Sequence, residues 1–264
     1  MKVSYRSPNS LSLYFALIPL ALLLCIVVGA ILSLTSKLNQ HFLIEILTDK
    51  ELYFALGMSL SSSIISLLLA MIIAIPSAWV MSQKTLPWQK VIDTLLDLPM
   101  VLPPLVAGLS LLLLFNRQGI VATWFPIVSD WVFSPVGIII AQTYIASSIL
   151  LRSARGAFAN FDIGYRLTAY NLGLTPWQSL IKVELPMCWK PLLSGTILAW
   201  ARAIGEFGAT LMLAGATRFK TETLPMAIYL NIASGDFEIA IGASLWLLVI
   251  SALLLLLLRN LNRQ

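Results

Sequence analysis

Arg202 and Glu206 stand four residues apart in WARAIGEFGATLMLAG, residues 200–215, a stretch that is otherwise apolar. On a helix they share one face and can pair. Ionisable side chains are expensive in a bilayer and face protein or a water-filled path there. Two readings are open: a neutralised pair that holds helices together, or a helix lining an anion path or gate, with Arg202 supplying positive potential. Gly205 and Gly208 flank Glu206 and Phe207 and permit close helix approach or a local break, as do Ala201, Ala203, Ala209 and Thr210. No other constellation competes for chemistry. The sequence has no glycine-rich phosphate loop, histidine pair or carboxylate dyad inside an apolar run. Its single histidine, His41, lies in a short polar connection, and Cys25 and Cys188 suggest neither a disulfide nor a metal site. No catalytic residue or metal ligand is assigned, so any pumping needs an energy source on a partner.

A second stretch, AYNLGLTPWQSLIKVELP (169–186), interrupts the apolar chain with ordered punctuation. Asp162 can cap a helix that begins at Ile163 and runs through Arg166 and Tyr170 to Leu172, where Gly173 can take positive φ and stop it. Thr175-Pro176-Trp177-Gln178 restarts a helix: threonine at the cap, proline at the first position, glutamine three residues after the cap. This second helix is expected to end at or before Leu185, because Pro186 restricts its predecessor. Leu172, Leu174 and Trp177 are costly to leave in water. They can pack beneath the chain's own helices or at the interfacial belt, or enter a groove on a cytosolic partner. The interspersed Arg166, Asn171 and Lys182 tilt the reading toward a partner surface.

The elements that must position these residues follow from composition. Of 264 residues, 59% are hydrophobic and 11% charged, with a mean hydropathy of +0.89. That excludes an ordinary water-soluble domain and makes the chain an all-α integral membrane protein. The net charge of +5 would suggest nucleic acid for a soluble protein, but in a membrane chain its distribution is what matters. Six stretches can span: 12–34, 53–81, 95–115, 134–151, 191–214 and 239–258. The first reads as a retained span, since no convincing cleavage site precedes Lys37. Ser59, Ser61, Ser62, Ser63 and Ser66 in the second read as small-residue packing in preference to a hydroxylated conduit. The third opens with DLPMVLPPLVAG (97–108), where Pro99, Pro103 and Pro104 favour an irregular helical start facing the bundle interior.

With the N-terminus in the cytosol, eleven basic residues fall inside: Lys2, Arg6, Lys84, Lys90, Arg152, Arg155, Arg166, Lys182, Lys190, Arg259 and Arg263. Five fall outside: Lys37, Lys50, Arg117, Arg218 and Lys220. Both termini are therefore expected in the cytosol. Acidic residues lean outward, among them Glu45, Glu51, Glu222 and Asp236. The whole chain, 1–264, is expected to form one transmembrane domain without an appended regulatory domain, and its longest non-spanning segment, about 152–190 with the loop at about 160–186 inside it, is expected to face the cytosol.

On these residues the chain resembles the transmembrane subunits of binding-protein-dependent ABC importers. The family's cytosolic signature is Glu-Ala-Ala, three residues, Gly, nine residues, Ile, one residue, Leu-Pro. In LTAYNLGLTPWQSLIKVELP, Ala169 matches the second alanine, Gly173 the glycine, Val183 the isoleucine and Leu185-Pro186 the final pair, while Leu167 and Thr168 replace the glutamate and first alanine. Within that group, DLPMVLPPLVAG, SPVGIIIAQTYIASSILLRSARGAF (134–158), ARAIGEFGATLMLAG (201–215) and TLPMAIY (223–229) resemble the molybdate, tungstate and sulfate permeases.

The resemblance implies a six-helix, type I importer architecture in a prokaryotic plasma membrane, the inner membrane in a Gram-negative cell. It implies a second copy of the chain, two cytosolic ATP-binding subunits that carry ATP and magnesium, and an extracytoplasmic oxyanion-binding protein. This chain itself binds no cofactor in that scheme. Residues Leu172 to Trp177, through Gly173, Leu174, Thr175 and Pro176, would couple to the ATPase subunit. Arg202, Gly205, Glu206, Phe207 and Gly208 would line the path or gate, beside a kink at Pro99, Pro103 and Pro104. Molybdate or tungstate is the expected substrate, with a sulfate or thiosulfate permease, or a secondary anion transporter, as the alternatives.

Overall fold

A computed structural model describes residues 10–36, 44, 46–83 and 87–262. His41 and the charges at Lys2, Arg6, Lys37, Glu45, Lys84 and Arg263 lie outside the described residues. The chain forms two compact units, Met1–Thr48 and Asp49–Gln264. In the first, α1 (Ser10–Thr35) carries Pro19 within it; it is long and apolar enough to span, and its apolar side chains from Leu17 to Leu32 are exposed.

The second unit begins with α2 (Lys50–Gln83), α3 (Gln89–Val101), α4 (Pro104–Phe115), α5 (Ile120–Trp124), a 3-10 turn at Pro126–Trp131 and α6 (Pro135–Ala159). It continues with α7 (Ile163–Asn171), α8 (Pro176–Ser179), a π-helical turn at Leu180–Glu184, α9 (Leu185–Met187), α10 (Trp189–Ile204), α11 (Gly208–Ala214), α12 (Leu224–Ser234) and α13 (Phe237–Asn262). Across both units, five described helices are long and apolar enough to cross a bilayer, or six if α10 and α11, bent by 57° at residues 205–207, make one span.

The core is made of small side chains at helical spacing. Ala70, Ala74 and Ala78 of α2 meet Ala146, Leu150 and Ala154 of α6 and Ala199 and Ala203 of α10, all buried. In lipid there is no hydrophobic drive between helices, so close approach through alanine supplies the packing. Of the α2 serines, Ser59, Ser62, Ser63 and Ser66 are buried in the packing while Ser61 is exposed, and three of them also bond across helices. Ser59 Oγ accepts from the Leu224 amide at 2.7 Å, Ser63 Oγ from the Trp200 indole at 3.0 Å, and Ser66 Oγ donates to the Ile139 carbonyl at 3.1 Å.

Two expectations need correction. The third span was expected at 95–115, but the chain breaks inside it and the apolar span is Pro104–Trp124. Leu102 (ψ 141) and Pro103 (ψ 133) are extended, because each precedes a proline whose ring disfavours the α region. Arg155 Nη2, 2.9 Å from Asp93, and Arg152, 3.9 Å from Asp97, hold the α3 side of this break along α6. The second correction concerns Pro186, which does not stop the helix begun at Pro176. Leu185 stays helical (φ −61, ψ −47), and its amide reaches back five residues to Leu180 O. The widened turn accommodates a proline ring that would crowd an ordinary α-turn.

Candidate functional site

The 162–188 segment folds as its local chemistry dictates. Asp162 caps α7 by accepting from the Gly164 amide at 2.8 Å. Gly173 has φ +83, open to glycine and strained for other residues. Thr175 Oγ1 accepts from the Gln178 amide at 3.3 Å, and Gln178 Oε1 accepts from the Thr175 amide at 3.0 Å, closing a reciprocal cap. The resulting joint presents Leu172 and Trp177, 78% and 55% exposed, with Leu174 half-buried between them. Thr175 and Pro176 are also exposed. Such an apolar surface on a polar turn suits a partner or the lipid boundary.

Arg166 is not at that surface. It turns inward to Glu184, whose carboxylate is fully buried and which the sequence reading did not single out. Glu184 Oε2 accepts from Arg166 Nη2 at 2.6 Å and from the Trp79 indole at 3.1 Å, and Oε1 accepts from Ser179 Oγ at 3.3 Å. The Arg166 guanidinium also lies 5.6 Å from the Phe161 ring centroid. Its sequence signal is a glutamate just before Leu-Pro, flanked by apolar residues, with an arginine eighteen positions upstream. Nearby, burial and then the Glu184 charge push the Cys188 thiol pKa up, against the Arg166 charge. Asn171 and Lys182 are exposed, as expected.

The second region is the break between α10 and α11. Arg202, Gly205, Glu206, Phe207 and Gly208 line one cavity with Pro103, Pro104 and Leu105, of about 330 Å³. Pro99, expected beside them, lines a separate apolar cavity of about 520 Å³ with Leu111, Tyr144 and Ser147. A Cβ on Gly208 would lie 2.7 Å from Pro104 Cβ, and one on Gly108 2.7 Å from Ala209 Cα. Only glycine lets the broken span meet the broken third helix this closely.

Glu206 has a defined structural task. Its Oε1 accepts from the Ala209 amide at 2.9 Å, and its Oε2 from Arg202 Nη1 at 2.5 Å. The break frees amides at the start of α11, and the carboxylate satisfies one of them where the helix dipole favours negative charge. The Glu206 side chain is fully buried, but that of Arg202 is 40% exposed, so donors of its guanidinium remain open. Phe207 packs against Tyr229 of α12 at 5.4 Å between ring centroids, with the ring planes tilted by 48°.

At the other end of α2 from Trp79 is a polar cluster that the sequence reading did not assemble. Arg218 Nη2 donates to Asn231 Oδ1 at 3.1 Å and to Ser234 Oγ at 3.0 Å, and Arg218 Nη1 lies 3.7 Å from Glu51. Asn231 Nδ2 donates to Glu51 Oε1 at 2.6 Å. In the connection before α12, Glu222 is fully buried. Burial, followed by the neighbouring Glu51 carboxylate, raises its pKa to about 7 against the Phe219 amide and Arg218, which lower it. Among the described residues no His, Cys, Asp and Glu group could hold a metal ion.

The chain matches known proteins in sequence and in fold. The family "Binding-protein-dependent transport system inner membrane component" matches residues 70–264. The molybdenum transport system permease protein ModB of Mycobacterium bovis is 34% identical, over 80% of this chain and 80% of its own length. The sulfate transport system permease protein CysT of Escherichia coli is 28% identical, over 93% of this chain and 89% of its own. A chain of a bacterial ABC transporter involved in the import of the acidic polysaccharide alginate has the same fold, with a TM-score of 0.73, 19% identity, and 97% and 96% of the two chains covered. Family match, fold and spans agree: this chain is a multi-pass inner membrane component of the binding-protein-dependent transport family, an ABC importer permease.

Proposed function

We propose that this chain forms the membrane path of an ATP-driven importer for a tetrahedral oxyanion, molybdate or tungstate. It would work with a second copy of itself, two cytosolic ATP-binding subunits that bind ATP and magnesium, and an extracytoplasmic oxyanion-binding protein. Both termini and the 162–188 joint would face the cytosol in this arrangement, a reading that the distribution of basic residues supports. Leu172, Leu174 and Trp177 would dock on the ATPase subunit, and nucleotide-driven closure of that pair would turn the two permease halves outward.

The observation that carries the anion reading is Arg202, 40% exposed at a cavity of about 330 Å³ while its counter-ion Glu206 is fully buried. Glu206 stays occupied with the start of α11, so an anion passing the break meets open guanidinium donors. The pair is neutral overall, and its attraction for a dianion is therefore moderate, which suits passage better than retention. The ModB relative favours molybdate; the CysT relative supports a second reading, a sulfate or thiosulfate permease of the same build.

Uptake into proteoliposomes containing the full complex, with molybdate, tungstate and sulfate in competition for the binding protein, tests the substrate. Failure to accumulate any of the three would sink the oxyanion reading. Gly173→Pro tests the joint separately, because proline cannot adopt the φ of +83 found there. It should leave membrane insertion intact and uncouple ATP hydrolysis from uptake; normal coupling would remove the docking assignment.

A further inference from the structure

The joint is connected to the bundle by two routes. One is the chain itself, which runs from α8 through the π turn and α9 into α10, and so to the break at 205–207. The other is made of side chains. Glu184 gathers donors from three elements, Arg166 of α7, Ser179 of α8 and Trp79 of α2, and the last is 105 residues away in sequence. The Trp79 ring also meets Trp177 edge-on at 6.3 Å between centroids. The residue at the centre of the exposed joint therefore touches the same indole that Glu184 holds by its N–H.

A fully buried carboxylate is costly unless its lone pairs are used. Here they are used on one segment of the joint from each side of Gly173 and on a spanning helix. Trp79 lies near the last turns of α2, and Ser59, twenty residues earlier and about 30 Å along the helix, accepts the Leu224 amide at the start of α12. In α12, Tyr229 packs against Phe207 in the break. Displacement of the joint thus has a route into α2, and from α2 to the α12 side of the cavity, that does not pass along α10.

We infer that Glu184 is a positioning residue for energy coupling, which clamps the ATPase-facing joint to α2 through the Trp79 indole. The inference rests on the reading of residues 172–177 as the ATPase contact and is independent of the choice of oxyanion. An apolar pair of the same shape could fill the space, but it would not hold the joint and α2 in one fixed relation, because hydrogen bonds are directional and packing is not.

The test uses the complete transporter in proteoliposomes, reading the ATPase subunit retained per permease, ATP hydrolysed, and radiolabelled molybdate or sulfate accumulated. Trp79→Phe keeps an aromatic ring against Trp177 and removes the N–H together with one of the two fused rings. It should retain the ATPase subunit and hydrolyse ATP, with uptake per ATP reduced roughly tenfold, the equilibrium effect of one hydrogen bond to a charged group. Glu184→Gln, which keeps an acceptor for the indole but loses the charge that orders Arg166, should fall between Trp79→Phe and wild type. An unchanged ratio in Trp79→Phe would overturn the inference. Loss of the ATPase subunit from that variant would overturn it as well, by making Trp79 part of the docking surface. A wild-type chain that retains no ATPase subunit would refute the underlying reading of the joint, a result separate from either.

Discussion

Glu184 and Glu206 are both fully buried and each is paired with one arginine, yet the two sites differ in what the arginine is free to do. The Arg166 side chain is 11% exposed and that of Arg202 is 40% exposed. At Glu184 the carboxylate takes donors from three elements and the pair is closed. At Glu206 the carboxylate takes one side chain and one backbone amide, and the pair stays open on its cationic side. A closed pair fixes geometry, and an open one leaves a charge at a cavity wall. The comparison separates holding from handling, although both sites use the same residue types.

The sharpest way to break this contrast is to remove each carboxylate. Glu184→Ala strands a nearly buried guanidinium and should destabilise the protein by about 3–5 kcal/mol, read as a lowered melting temperature in detergent. A smaller loss than Glu206→Ala causes would reverse the assignment. Next in size is Gly108→Ala, whose Cβ would sit 2.7 Å from the Ala209 backbone. Forcing α4 from α11 should cost about 1–3 kcal/mol and reduce uptake, while leaving the joint's hold on the ATPase subunit untouched; loss of that subunit would tie the two regions together.

Glu206→Gln retains an acceptor for the Ala209 amide and removes the charge. Because Arg202 is part exposed, solvent takes up most of the lost attraction and stability should change by no more than about 1 kcal/mol. Uptake should change more than stability does, and a silent uptake assay would make the open pair purely structural. The smallest expected effect is on pH dependence. The Glu222 pKa of about 7 lies above its ordinary 4.5, so its contribution to stability is fully present below pH 4.5 and is lost as pH rises through 7. Glu222→Gln should flatten that part of the melting-temperature profile, and an unaltered slope would assign it to other groups.

The joint was legible in the sequence because its determinants are local. Asp162, Gly173, Thr175 and Gln178 each act within three residues of themselves, and cap and turn chemistry has that range. The Arg202–Glu206 pair was legible for the same reason, at one helical turn. Hydropathy placed most spans but set the third across the break at Leu102–Pro103, which the prolines at 103 and 104 did signal, since a window of apolar residues carries no information on backbone direction. Pro186 misled because the rule that stops an α-helix there does not forbid a wider turn. The Glu184 clamp was not legible: its indole partner lies 105 residues away, and only the packing of α2 against the joint brings them together. The Glu51–Arg218–Asn231 cluster was missed, and Pro99 was set beside the wrong cavity, for the same reason.

The π turn at Leu180–Glu184 has a consequence for how this segment tolerates changes in length. A turn closed by a bond five residues back, as from Leu185 to Leu180, contains one residue more than an α-turn. Deleting one of residues 181–183 would remove that extra residue and close the segment as an ordinary α-turn, with the Pro186 ring crowding the carbonyl four residues before it. The part before the turn would nearly keep its aim relative to α10, since the residue lost is the one the wide turn had absorbed. The cost would fall on the backbone at Pro186, and the exposed Leu172 and Trp177 would keep their direction as well as their caps. A homologue with a single-residue gap here, and another residue in place of that proline, would present the same motif to a partner seated in the same place.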